Sequence, residues 1–150
     1  MSLLAKTPPP LALLVSIGAA VFATRMWPVL QLAWFRAPIA AAVVGVGALA
    51  WIIWAAAEFR RYRTTILPLR QPTRLLERGP FRLSRNPIYI GMLTLTLVPW
   101  LGCGSIGLLF APVLFVAVIN GAVIPFEEEK LRRIFGTAYD NYVRRVRRWL

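Results

Sequence analysis

A chain of 150 residues with 58% hydrophobic and 16% charged residues is long enough for one domain and too apolar for a soluble one, so composition places it in a membrane. Its net charge of +12, from 18 Lys+Arg against 6 Asp+Glu, flanks the apolar segments without forming a separate basic domain, which favours a membrane surface over nucleic acid as partner. Histidine is absent and Cys103 is the sole cysteine, which excludes His-based general bases, His or multi-Cys metal sites and internal disulfides.

Lys6 and Pro8-Pro9-Pro10 precede an apolar run from Leu11 to Ala23. Its length suits a short membrane helix or the core of a signal peptide, and the membrane helix is the reading adopted. Arg25 to Arg36 holds Trp27, Trp34 and Phe35 between two cations, the composition of a connector at the lipid headgroup boundary. Pro38 then opens the clearest membrane helix, Ala37 to Ala57. Its Gly45 and Gly47 either let a second helix approach or are ordinary small-residue content.

From Glu58 to Pro87 the chain is basic and broken by Pro68, Pro72, Gly79 and Pro80, the pattern of an irregular loop with one helical turn at most. Ile88 to Leu101 is a third apolar segment, closed by Pro99 and the Gly102/Gly104 turn. Its fourteen residues span about 21 Å as a helix against a bilayer core of about 30 Å, so it is expected to begin below the membrane surface in a protein-lined pocket. Ser105 to Phe126 forms the fourth span after a tight uncharged turn. Eight arginines in the middle loop and seven Lys/Arg after residue 126 put both regions on one side with Lys6. The expected topology is therefore four spans in a bacterial-type inner membrane, with both termini cytoplasmic.

The tail repeats apolar residues every three to four positions, from Leu131 through Tyr139, Tyr142 and Val146 to Trp149, with arginines between. This predicts an amphipathic helix broken near Gly136 and lying on an anionic membrane face, whether or not it does more than anchor the chain. The fold expected is an all-α polytopic membrane protein, one membrane domain with N-terminal helices over 1–57 and a core over 58–150.

Two polar clusters then stand out: the loop Gly79-Pro80-Phe81-Arg82-Leu83-Ser84-Arg85-Asn86-Pro87-Ile88-Tyr89-Ile90-Gly91, and Glu127-Glu128-Glu129 at the end of the last span. Carboxylates at the end of a span call for partners, and the loop arginines are the obvious ones. The plainer alternatives are a solvated helix start for the glutamates, headgroup phosphates for Arg85 and simple helix initiation for Pro87.

The string from Thr73 to Gly91 resembles the signature of the isoprenylcysteine carboxyl methyltransferase and phospholipid methyltransferase superfamily. Its second signature is similar to Glu127, Glu128, Leu131, Phe135, Gly136, Tyr139 and Tyr142. The resemblance covers residues 58 to 150. It implies an S-adenosylmethionine-dependent enzyme with the cofactor at the cytoplasmic end of the last two spans and an acceptor entering from the bilayer. Carried over position by position, it implies cofactor contacts from Thr73, Leu75, Leu76, Phe81, Asn86, Pro87, Ile88 and Tyr89, with Glu127 at the charged end and Glu128 as the paired acid. Asn86 stands where the prenylcysteine branch has histidine, and Val123 where that branch has a substrate-holding arginine; a carboxylate acceptor is less supported for that reason.

Methyl transfer from a sulfonium needs position, desolvation and charge complementarity, so it can proceed without metal, histidine or cysteine. Glu127 can pair an ammonium, Arg85 or Arg82 a carboxylate, and Tyr89 and Phe81 can pack on an adenine or a sulfonium. An amine acceptor must be neutral to attack, and Glu128 is the candidate to take its proton. The residues expected to act in the chemistry are Glu128, Asn86 and Arg85, and the acceptor is a lipid amine, a prenylcysteine-like carboxylate or a similar amphiphile. Two other readings fit less well. A sterol-reductase-type enzyme using NADPH shares a Pro-x-Tyr-x-Gly signature, but Met92 stands where that branch has an acid. A non-enzymatic lipid-binding protein would need only the charges.

Overall fold

The computed structural model describes residues 8–31, 35–62 and 72–150. Lys6, Trp34 and Pro68, with Arg63 and Arg70 of the eight middle-loop arginines, lie outside them. The described residues contain helices and no strand. Three helical stretches are long and apolar enough to cross a membrane, and a shorter apolar helix packs among them. The protein is an all-α integral membrane protein.

Helix α1 (Pro9–Met26) begins with proline at a position where no N–H is needed. Ala12, Ser16, Ala20 and Thr24 recur every fourth residue and form its buried stripe. The Ser16 and Thr24 hydroxyls donate to Ala12 O and Ala20 O at 2.7 and 2.8 Å, so burying them strands no donor. A connector with a short 3-10 turn at Pro28–Gln31 leads to α2 (Pro38–Arg61). Ala41, Ala48 and Ala55 make the buried seam of α2 at seven-residue spacing, and α3 (Pro87–Cys103) lies along it.

The close approach of α2 and α3 depends on Gly91. A Cβ there would run into the Ile52 side chain and come within 3.2 Å of Ala48 O. Of the two glycines singled out in α2, a Cβ on Gly45 would meet Val98 at ordinary contact distance and one on Gly47 would meet nothing within 4 Å. Gly91→Val is expected to destabilise the bundle by about 1–3 kcal/mol through overpacking. The check is the melting temperature in detergent, compared with that of Gly47→Val.

At the far end, α3 stops at Gly104 (φ 74°), where a side chain would collide with Phe35 O. There Ala37 N–H donates to Leu101 O at 2.8 Å and Ser105 Oγ to Leu30 O at 2.6 Å. The connector between α1 and α2 is thereby joined to the turn that follows α3.

After a 3-10 turn at Ile106–Leu109, the chain stays helical through α4 (Phe110–Val118), a π turn (Ile119–Val123) and α5 (Ile124–Phe135). Ile124 N–H donates to Ile119 O, the wider spacing of a π turn, just ahead of Pro125, which has no N–H to give. Gly136 (φ 51°) then breaks the helix where expected, and α6 (Thr137–Arg145) follows.

Four expectations change. Helix α3 has 17 residues, about 26 Å, because it takes in Pro87 at its start and Gly102 and Cys103 at its end, and Pro99 sits inside it and does not close it. The last span does not end at Phe126 but runs on to Phe135. Glu127 therefore follows continuous helix, and the solvated helix-start reading of the glutamates loses its basis. Glu58 to Arg61, assigned to the loop, extend α2. Tyr139 and Tyr142, placed on a membrane-facing stripe, are 1% and 3% exposed against the protein itself.

The main core joins Ala12, Tyr89, Met92, Phe115, Ile119, Val123 and Ile124 from α1, α3 and the last span. A smaller one joins Ala55, Leu76 and Phe81 under the motif loop. Ile39, Val43, Val46 and Ile53 on α2 and Val113 on α4 point outward, an apolar surface that suits lipid contact.

Candidate active site

Asn86 and Pro87 start α3 in a manner that frees Asn86 for other work. Pro87 occupies the first turn, yet the Asn86 side chain makes no cap. Its Nδ2 donates instead to the carbonyl of Arg148 at 3.0 Å. Ser84, fully buried, donates its Oγ to the same carbonyl at 3.1 Å and accepts Asn86 N–H at 3.0 Å. Trp51 Nε1 donates to Pro87 O at 2.8 Å, fixing the start of α3 against α2. Beneath the loop, Phe59 meets Phe81 edge-on at 5.5 Å, and Tyr142 Oη donates to Phe81 O at 2.7 Å. Burial pushes the Tyr142 phenol above its ordinary range, so it remains a neutral donor. Tyr142→Phe leaves that carbonyl without a partner and is expected to cost about 1–3 kcal/mol of stability, readable as a lower urea midpoint.

The three consecutive carboxylates diverge. Glu127, one helical position earlier than its neighbour, has both oxygens 2.9 Å from Tyr89 Oη. Glu128 receives Arg85 Nη1 at 2.9 Å on one oxygen, and Arg148 through Nε at 3.1 Å and Nη2 at 2.7 Å. Arg85 and Glu128 are about seven-eighths withdrawn from solvent, at 12% and 13% side-chain exposure, so this pairing operates at reduced screening. Among the described residues, Arg85 Nε is buried with no hydrogen-bond partner. Glu129 turns outward to Arg133.

These groups surround a cavity of about 360 Å³, within the range of small-molecule sites. Pro72, Arg74, Leu75, Leu76 and Phe81 come from the loop, Arg85 to Tyr89 and Met92 from the start of α3, and Glu127, Glu128, Lys130 and Leu131 from α5. Tyr139 and Tyr142 of α6 close one side, and Pro8, Pro9 and Pro10 at the mouth of α1 another. Its surface is mostly apolar, with charges concentrated where α3 meets α5.

The predicted residues Leu75, Leu76, Phe81, Arg85, Asn86, Pro87, Ile88, Tyr89, Glu127 and Glu128 all line this one cavity. Thr73 does not: it is exposed beside Arg61, Tyr62 and Arg74 in a shallow polar depression. Arg82 is exposed and lies off the cavity, so Arg85 is the arginine of that pair that faces it. The sequence reading missed Arg148, Trp51 and the proline triplet as neighbours of the site. Only the arginine-rich tail hinted at the first of these.

An apolar helical bundle with a charged, protein-lined cavity at one end of its spans defines an integral membrane protein with a candidate small-molecule site. The family is also clear: the phospholipid methyltransferase family model matches residues 33–138, and the chain belongs to that family of membrane methyltransferases. The match begins within the connector before α2 and leaves most of α6 and the chain end beyond it. No curated protein and no solved structure matches the chain significantly.

Proposed function

We propose that the protein is an S-adenosylmethionine-dependent methyltransferase acting on a membrane-embedded or amphiphilic acceptor. The observation that carries this reading is the convergence of Arg85 to Tyr89 and Glu127 to Glu128 on one cavity, in a chain of the phospholipid methyltransferase family. The residues present fit the donor molecule. Arg85 Nε is a buried donor without an acceptor among the described residues, as expected of a group that meets a ligand carboxylate, and Glu127 is an anionic partner for an ammonium. Leu75, Leu76, Phe81 and Ile88 give an apolar bed for a purine.

When bound, the sulfonium supplies an activated methyl group. What this chain contributes is orientation, exclusion of water and matched charge. Both Glu128 oxygens already accept from guanidiniums, so its contacts support holding Arg85 in place more than taking up a proton. Tyr89 and Glu127 then form the proton-bearing pair nearest the helix start.

A lipid amine is the acceptor class the wall favours over a carboxylate. The position where a substrate-holding arginine would stand is Val123, buried at 1% exposure in the core. The exposed cations Arg60, Arg78, Arg82, Arg144 and Arg147 lie at the cavity end of the bundle. By the positive-inside rule that end, with both termini, faces the cytoplasm of a bacterial-type inner membrane.

The test is transfer of a radiolabelled methyl group from S-adenosylmethionine to total membrane lipids by detergent-purified protein. Label in the organic phase, suppressed by S-adenosylhomocysteine, is the expected result. No label, together with thermal protection by NADPH and none by S-adenosylhomocysteine, would reverse the assignment.

A further inference from the structure

After α6 the chain does not run off along the membrane but turns back over the motif loop. Val146 adopts extended backbone (φ −123°, ψ 129°), and the next two carbonyls face the loop. Arg147 O accepts Arg85 N–H at 3.0 Å, and Arg148 O accepts both Ser84 Oγ–H and Asn86 Nδ2–H. The Arg148 guanidinium grips both oxygens of Glu128 and reaches Asn120 Oδ1 in the π turn at 3.4 Å. Trp149 packs against the core cluster that contains Tyr89 and Phe115. Arg147, Arg148 and Trp149 thus join the motif loop, α5, the π turn and the core beside them, and none of them falls within the family match.

We infer that this terminal strap completes the site and that Arg148 is a positioning residue, acting through Glu128 and Asn86. A backbone carbonyl can only accept, so the strap dictates which way the Asn86 amide faces: the NH2 is committed to Arg148 O, and Oδ1 is the atom left to offer a ligand. Arg148 also shares Glu128 with Arg85, so removing it leaves Arg85 as the lone guanidinium on that carboxylate and releases the carboxylate's second oxygen. The two effects converge on the same wall of the cavity.

The inference rests on the proposed function for its binding readout, and a second readout is independent of it. In full-length protein, Arg148→Met is expected to lower affinity for S-adenosylhomocysteine about tenfold, the equivalent of one charge-assisted contact. Glu128→Gln is expected to match it, and the double variant to add little, because the two residues act as one unit. Arg148→Lys, which keeps the charge without the two-pronged grip, is expected to recover part of the affinity. Hydrogen exchange of the Arg82–Tyr89 segment is expected to speed up in Arg148→Met even without ligand. Unchanged exchange, or unchanged affinity in Arg148→Met despite a lower melting temperature, overturns the inference. If wild-type protein binds no S-adenosylhomocysteine, the proposed function fails, and the exchange comparison alone decides for or against the strap.

Discussion

Glu127→Gln is expected to lower methyl transfer by about two to three orders of magnitude, with little change in folding. Breaking a desolvated charge pair by removing one partner costs about 3–5 kcal/mol, and each 1.4 kcal/mol is tenfold. The glutamine carbonyl can still accept the Tyr89 hydroxyl that now lies 2.9 Å from Glu127, so the α3–α5 contact survives while the charge is lost. Glu127→Ala separates the two roles, since it also leaves the buried Tyr89 hydroxyl without an acceptor and adds about 1–3 kcal/mol of destabilisation. Transfer rate and melting temperature measured on both variants check this. A glutamine variant with normal turnover would remove Glu127 from the proposed donor site.

The second large effect is expected at Arg85. Its side chain is 12% exposed, its Nη1 lies 2.9 Å from Glu128, and its Nε faces no acceptor among the described residues. Arg85→Leu removes a donor set from the cavity and also leaves Glu128 paired with Arg148 alone. Affinity for S-adenosylhomocysteine is expected to fall at least a hundredfold, with a melting temperature lowered by several degrees. Arg85→Lys keeps the charge but cannot reach Glu128 and a ligand together from one planar fork, so it is expected to restore stability more than affinity. Calorimetric titration and thermal unfolding of the pair of variants give the comparison; equal recovery of both would mean that Arg85 serves Glu128 alone.

Much of this arrangement was legible before any coordinates. The apolar runs, the small residues of α2, the prolines that start α1, α2 and α3 and the glycine break at Gly136 are local signals, and each appears within a few residues of where composition puts it. The pairing of Arg85 to Tyr89 with Glu127 and Glu128 followed from two charged clusters that two adjacent spans bring to one end. What stayed hidden has no local signal. The Trp51 bond to Pro87 O crosses 36 positions and the Asn86 bond to Arg148 O crosses 62, and nothing in either neighbourhood announces a partner.

The membrane-face expectation for the tail went astray for a related reason. An apolar stripe with arginines between reads the same whether lipid or protein covers it, and here Tyr139 and Tyr142 are covered by protein. The length of α3 was underestimated at its ends, where Pro87, Gly102 and Gly104 look like boundaries, and Pro99 looked like part of the same stop. Inside an apolar bundle a proline can be carried within a helix when its neighbours tolerate the missing bond. Thr73 shows the converse limit, since its place in a motif string put it beside residues that line the cavity while its own position points elsewhere.

The central claim is that the motif loop and the paired glutamates form one binding site for the methyl donor. Calorimetric titration of S-adenosylhomocysteine into detergent-purified full-length protein tests it most directly. Saturable binding in the micromolar range to wild type, with one site per chain and its loss in Glu127→Gln, is the result predicted. No heat of binding to folded wild type, or binding of equal strength in wild type and Glu127→Gln, would contradict it.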